Sequence, residues 1–390
     1  MDTKFDDIFK LSAVALKLNL GYPYLPLTLK WAAQIFVRYL GFLPTFLSLI
    51  YSSIYFDGFT KICSNLGLAV VFFVITINYS LLTIFKKTFC DMIRITEENL
   101  NCFKKHSEDE IVIRDYVDKG KSVAKAWLLI CAVSGGVFPC KAIAGTLYYT
   151  LTTGNVTFVP MYEVTYPSYI EERKETVEMY LIIFAFQLFY VIFTSLMYVG
   201  FNPLGPIFIT QACGQIELVM RQTDRLFAEK NIDIDDALKN LNNIMRQIQD
   251  IYNFVNQIQQ THRVMYETCL ITSTIIIPVS CIGVVESYSR GKIEIELIFY
   301  ICAAILQCYI PCYFSEMLST KGEQLRVAIY GCGWERHWLP RSRSTILLML
   351  TRTAHPLGIH AVFCTVRMEA FANVLTSSYR IFSVMNAAWN

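Results

Sequence analysis

Nine side chains are of types that could build a small-molecule pocket. Phe72, Phe73, Tyr148, Tyr149, Tyr180, Phe184, Phe299 and Tyr300 are aromatic and fall in apolar runs, and Gln187 continues the face that Tyr180 and Phe184 share one turn apart. Large apolar contact with one hydrogen-bonding group is the chemistry of a site for a hydrophobic ligand. The competing reading is that aromatics at helical spacing are ordinary core or lipid-facing residues. A second set closes the chain, where Val384 and Ala388 lie one turn apart with Asn386 between them. A ring of small aliphatic groups can shut a pore by dewetting, and here the competing reading is plain helix packing.

Enzyme chemistry finds no foothold. There is no Gly-rich phosphate loop, no His-Glu-x-x-His and no nucleophile elbow. Nothing pairs Glu286, Glu294 and Glu296 with a base or nucleophile, and such a charge run reads as a solvated loop. The five His are scattered and no Cys-x-x-Cys occurs, so neither a metal site nor a cofactor is expected. Of thirteen Cys, Cys131, Cys140, Cys269, Cys281, Cys302, Cys308 and Cys312 sit in apolar runs, where Cys acts as a small hydrophobe rather than a disulfide partner.

The elements that would position these residues are membrane helices. Of the 390 residues 54% are hydrophobic and 17% charged, fewer charges than the quarter or so usual in soluble domains. The net charge of +2 gives no electrostatic case for nucleic acid. Polar, acidic residues 1–10 lack the basic n-region and apolar core of a cleavable signal peptide. Stretches near the ~20 residues that cross a bilayer predict spans at Trp31–Tyr55, Leu66–Phe85, Trp127–Leu151, Met179–Phe201, Cys269–Val285, Leu297–Phe314 and Ile359–Met385. Asn78, Lys141 and Gln187 fall inside spans, and Pro44, Pro139, Pro278 and Pro311 interrupt four of them. The last span also carries Arg367, Glu369 and Arg380, so it is expected to face protein or water rather than lipid. No internal repeat or low-complexity linker divides the chain, and 1–390 reads as one domain.

Charge sets the orientation. The N-terminus and the loops 86–126, 202–264 and 315–345 hold 24 Lys and Arg, and the opposite loops hold 5. The basic side is expected to be cytoplasmic, which puts the N-terminus inside and the C-terminus outside after seven spans. The sequon at Asn155 then lies outside, where it can be glycosylated, and the one at Asn78 is silent within a span. The long inner segment 202–263 has two apolar stripes, one through Ile216, Val219, Met220, Leu226 and Phe227, the other from Leu238 through Leu241, Ile244, Ile248, Ile251 and Tyr252 to Val255. These predict cytoplasmic helix extensions of spans four and five. Packing within the chain and subunit assembly would bury them equally well.

An ordered set of motifs runs through the C-terminal third. Pro311-Cys312-Tyr313-Phe314 comes first, then Ala328-Ile329-Tyr330 with Trp334, then Leu347-Leu348-Met349-Leu350, Arg352-Thr353-Ala354 and Pro356. Phe371-Ala372-Asn373-Val374-Leu375, Ser378-Tyr379 and Phe382 complete it. In this order the chain resembles the insect odorant receptor family, as an odorant-tuning subunit: its inner loop is much shorter than that of the co-receptor. The resemblance implies a multi-pass plasma-membrane protein of olfactory neurons that binds a small hydrophobic volatile. It also implies a ligand-gated, non-selective cation channel, assembled as a hetero-tetramer with an odorant co-receptor subunit. On this reading 202–263 supplies subunit contacts and 345–390 the pore-lining last helix. By position the gate falls on Val384, with Ala388 a turn beyond, and the ligand among the outer halves of spans two to six. Two departures stand out: Arg380 where Ser-Tyr-Ser is common, and Ala388 where a larger aliphatic is usual. The same superfamily's gustatory receptors end in a Gln-Phe that is missing here, and a G-protein-coupled receptor would have the opposite orientation.

Overall fold

The computed structural model describes residues 4–55, 59–103, 107–153, 157–226, 234–291, 295–336 and 340–389, apart from some side chains near helix ends, including Ala388. They form thirteen α-helices: α1 Phe5–Ile8, α2 Lys10–Leu18, α3 Leu29–Tyr55, α4 Phe59–Ile84, α5 Lys86–Phe103, α6 Ser107–Thr153, α7 Ser168–Glu171, α8 Val177–Phe201, α9 Leu204–Arg225, α10 Ile234–Ser289, α11 Ile295–Gly331, α12 Pro340–Thr353 and α13 Met368–Trp389. Six stretches, within α3, α4, α6, α8–α9, α10 and α11, are long and apolar enough to cross a membrane. α13 is the seventh by length, at 22 residues or about 33 Å. The protein is an all-α, multi-pass membrane protein. Side chains such as Phe36, Val37, Leu47, Leu129 and Leu147 are exposed on the outside of the bundle, as lipid-facing positions should be.

The helices outrun the bilayer. The 56 residues of α10 extend for about 84 Å, against a hydrocarbon core of about 30 Å. Pro44, Pro139, Pro278 and Pro311 all lie inside continuous helices. The break that does occur is between α8 and α9, where Pro203 precedes the first residue of α9 and Pro206 sits in its first turn. Neither has an N–H for a continuing helical ladder, yet both suit a helix start. Segment 202–263 is therefore a new helix plus the lower half of α10, not a straight extension of span four.

This end of the bundle is a packed core. Ile216, Val219, Leu226, Leu241, Ile244, Ile248, Ile251, Tyr252 and Val255 are buried within the single chain, and Phe227 lies outside the described residues. Met220 and Leu238 are half-buried, so both predicted stripes are satisfied internally for the most part, with α9 packed on α6, α10 and α11. Any subunit contact through 202–263 must use its other faces. Lys321 of α11 pairs with Glu217 of α9 at 2.7 Å. The N-terminal α1–α2 pair also docks here, burying Phe5, Phe9, Ala13 and Leu16.

The last predicted span needs correction. Residues 356–366 are not helical; they fold back on themselves, with a β-bridge between His360 and Thr365. Pro356 and Gly358 disfavour a helix, and α10 and α11 hold the fold-back: Glu267 accepts the N–H groups of Val362 at 2.9 Å and Phe363 at 3.2 Å, and Ser315 accepts that of Ile359 at 3.3 Å. Arg367 precedes α13 and donates to Ser319 at 2.5 Å, so its charge lies off the last helix.

Candidate functional site

Five helices, α4, α6, α8, α10 and α11, leave a cavity of about 130 Å³ between them. Its ceiling is aromatic: Phe138 of α6 lies 4.9 Å from the ring of Tyr162 and 5.9 Å from that of Tyr300. At its floor Trp127 and Tyr198 stack, centroids 6.3 Å apart and planes 10° from parallel, near Gln307. The walls are small or branched: Gly67, Val71 and Val74 on α4, Cys131, Ser134 and Gly135 on α6, Thr194 and Ser195 on α8, Ile276 on α10, Ala303 and Ala304 on α11. An apolar cavity of roughly 150 Å³ stays dry and accepts benzene, so this space suits a one-ring or short-chain molecule.

Most wall polar groups are already engaged. The hydroxyls of Ser134, Thr194 and Thr272 donate to carbonyls of their own helices, Tyr190 donates to the carbonyl of Leu68 at 2.6 Å, and Gln307 reaches the sulfur of Cys269 at 3.4 Å. At the top Glu296 pairs with Lys141 across α6 and α11 at 2.7 Å. Glu296 is in the first turn of α11, where the helix dipole also favours a carboxylate. Lys141 is one charge in an apolar run, a sequence signal that calls for a partner of opposite charge.

The segment between α6 and α8 closes the cavity from above. Met161, Tyr162 and Val164 are buried. Ser52 of α3 accepts from the N–H of Thr165 at 3.0 Å and from the amide of Asn65 at 2.9 Å, and Asn65 also donates to the carbonyl of Glu163 at 3.1 Å. Glu171 accepts the N–H of Tyr166 at 3.1 Å and pairs with Lys174. Burial pushes the Glu171 carboxyl up, but these two partners outweigh it and hold the group below its usual value. The stabilisation this lends the segment is present above the ordinary carboxylate range and is lost as pH falls through the lowered value. Ser52→Ala removes the hydroxyl that accepts the N–H of the half-buried Thr165. It is expected to cost roughly 1–3 kcal/mol, checked by faster amide hydrogen exchange over 159–167.

The nine sequence-derived pocket residues separate into three groups. Phe299 and Tyr300 line the cavity. Tyr180, Phe184 and Gln187 share a face as expected, but it faces the closing segment: Tyr180 stacks on Phe158 at 4.5 Å and donates to the carbonyl of Val159, and Gln187 donates to the hydroxyl of Tyr166 at 3.1 Å. Phe72 stacks on Phe46 of α3 at 4.1 Å, while Phe73, Tyr148 and Tyr149 are more than half or half exposed. Those four lie off the cavity wall. At the other candidate site Val384 is exposed, Asn386 half-buried, and both lie on α13 with Ala388. Arg380 is exposed. Asn155 lies outside the described residues, and Asn78 is buried within α4. Among the described residues no His, Cys, Asp or Glu cluster could hold a metal, and every Cys is free.

Comparison with known proteins agrees with this architecture. The chain is 15% identical to the insect olfactory receptor OR5 from Machilis hrabei, solved in complex with eugenol, with a TM-score of 0.77 over 98% of both chains. In sequence it is 23% identical over 270 residues to Odorant receptor 2a of Drosophila melanogaster, covering 65% of this chain and 67% of that one. Odorant receptor 13a of the same fly is 24% identical over 196 residues, 47% of either chain. The family model for the 7tm Odorant receptor matches residues 58–379, most of the length, and the chain belongs to that family.

Proposed function

We propose that this chain is the odorant-tuning subunit of a ligand-gated, non-selective cation channel in the plasma membrane. A small hydrophobic volatile occupies the cavity under the closing segment, touching Phe299, Tyr300 and the small-residue walls. The observation that carries this reading is a mostly apolar cavity between five helices whose α10 wall also touches the last helix, where Ser378 of α13 donates to the carbonyl of Thr274 at 3.4 Å. The fold neighbour's eugenol is itself a one-ring volatile, in keeping with the cavity size. In a hetero-tetramer with an odorant co-receptor, the exposed face of α13 lines the pore, with Val384, Asn386 and Ala388 at the constriction and the N-terminus on the cytoplasmic side. Tyr180, Phe184 and Gln187 then act on the ligand indirectly, by holding the segment above it.

Whole-cell recording tests this. Cells expressing the chain with an insect odorant co-receptor are expected to give a cation current to some member of a broad volatile panel with G-protein signalling blocked, and no current without the co-receptor. A response that disappears when G-protein signalling is blocked would overturn the channel reading.

A further inference from the structure

The outward face of the last helix differs in kind from those of α3 and α8. Those two helices present Phe36, Val37, Leu47, Leu181, Ile182 and Phe186, all apolar, as a lipid-facing surface requires. On α13 the exposed residues Glu369, Asn373, Thr376, Arg380, Val384 and Ala387 recur every three or four positions and form one stripe along the helix. The other side of α13 packs on α10 and α11, with Ala370, Val374 and Ser378 buried. Neither Glu369 nor Arg380 has an ion-pair partner among the described residues. A stripe with two charges and two polar groups is costly against hydrocarbon, so it meets water or protein. Arg380 stands one helical turn from Val384 on this stripe, about 6 Å along the axis.

Resting on the reading of α13 as the pore-lining helix, we propose that Arg380 faces the ion path and sets which cations pass. Its guanidinium is always charged, so it stands as a fixed positive barrier one turn from the constriction at Val384. Repulsion scales with the charge of the ion, and the same barrier opposes a divalent cation twice as strongly as a monovalent one. A channel carrying this chain therefore conducts sodium and potassium and admits calcium poorly. The rival placement is an ion pair between Arg380 and an acidic group of a neighbouring subunit, which would cancel the barrier.

The test is the reversal potential of the volatile-evoked current, with sodium and then calcium as the main external cation. Cells express the full chain with an insect odorant co-receptor, and the stimulus is the most effective member of a broad panel that includes acetophenone, 2-hexanone and 1-hexanol. Wild type, Arg380→Lys, Arg380→Gln and Arg380→Glu are compared; all three replacements are good helix formers at an exposed position, so folding is little disturbed. The calcium-to-sodium permeability ratio is expected to stay unchanged in Arg380→Lys. It should rise about threefold in Arg380→Gln, the effect of one charge about 6 Å from the ion in water, and further again in Arg380→Glu. Should neither Arg380→Gln nor Arg380→Glu carry current, the wild type reads the same charge. Lowering bath salt from about 0.15 M to 0.01 M lengthens the screening distance from about 8 Å to about 30 Å, and its calcium ratio should fall. A ratio indifferent to the charge at position 380, or in that second case to salt, overturns the role of Arg380 and leaves the channel reading standing. No evoked current from wild type at the cell surface defeats the channel reading and this proposal with it.

Discussion

Ala303→Phe is expected to abolish the response to volatiles while leaving the receptor at the cell surface. Ala303 sits on the cavity wall contributed by α11, between Tyr300 and Gln307. The cavity, at about 130 Å³, is near the size that takes one benzene molecule, so a phenyl group attached there occupies the ligand's place. Because space exists, the overpacking cost should stay at the low end of the usual 1–3 kcal/mol. The ligand concentration for half-maximal current should rise at least about a hundredfold, the loss of roughly 2.7 kcal/mol of binding. Leu306→Phe, three residues along and off the cavity wall, is the control and should respond normally. An Ala303→Phe receptor that reaches the surface and responds like the wild type would mean that ligands bind elsewhere.

Gly205→Ala should be the most damaging single methyl group in the chain. Gly205 lies in the first turn of α9, directly against the hydroxyl of Tyr266 on α10, and a Cβ there would overlap that oxygen and come within 3.0 Å of His262. Neither neighbour can yield easily. Tyr266 is 1% exposed, its ring lies 5.7 Å from that of His262, and His262 in turn stacks on Phe201. We expect a loss of about 3 kcal/mol, the upper end for overpacking a core, seen as a lower melting temperature and poor yield. The partner substitution makes the explanation specific. The Tyr266 hydroxyl is buried with no hydrogen-bond partner among the described residues, so Tyr266→Phe should be neutral or mildly stabilising. In the double variant it should restore most of what Gly205→Ala loses. Failure of that rescue would place the damage in the backbone of the α8–α9 junction instead.

The spans were legible because each needs a long apolar run, and α8 ends at Phe201 as its hydropathy predicts. Helix continuity past the membrane was legible only in part. The stripes of 202–263 predicted helices, but Pro203 and Pro206, which restart the helix, carry no hydrophobic signal. Residues 359–366 read as the start of a membrane helix because they are mostly apolar, whereas tertiary acceptors on Glu267 and Ser315 hold them in another shape. The cavity was the least visible feature. A search for ligand-binding residues favours large aromatics, but a cavity forms where side chains are small. Gly135, Ser195, Ala303 and Ala304 give no motif, and helix rotation decides whether they face one another. Rotation also sent Phe72 to α3 and Tyr180 to the closing segment.

The stretch Thr272–Ile276 has two tenants. Thr272 and Ile276 belong to the cavity wall, and the carbonyl of Thr274 between them receives Ser378 of the last helix. A single helix thickness, about 10 Å, separates whatever fills the cavity from α13. If an occupant shifts this stretch, energetic linkage makes the effect mutual: the factor by which a ligand favours one position of α13 is the factor by which that position favours the ligand. Substitutions at Ser378 should therefore change apparent ligand affinity without touching the ligand. On the channel reading proposed above, the threshold for a ligand would then be adjustable from the last helix, with the shape of the cavity left as it is.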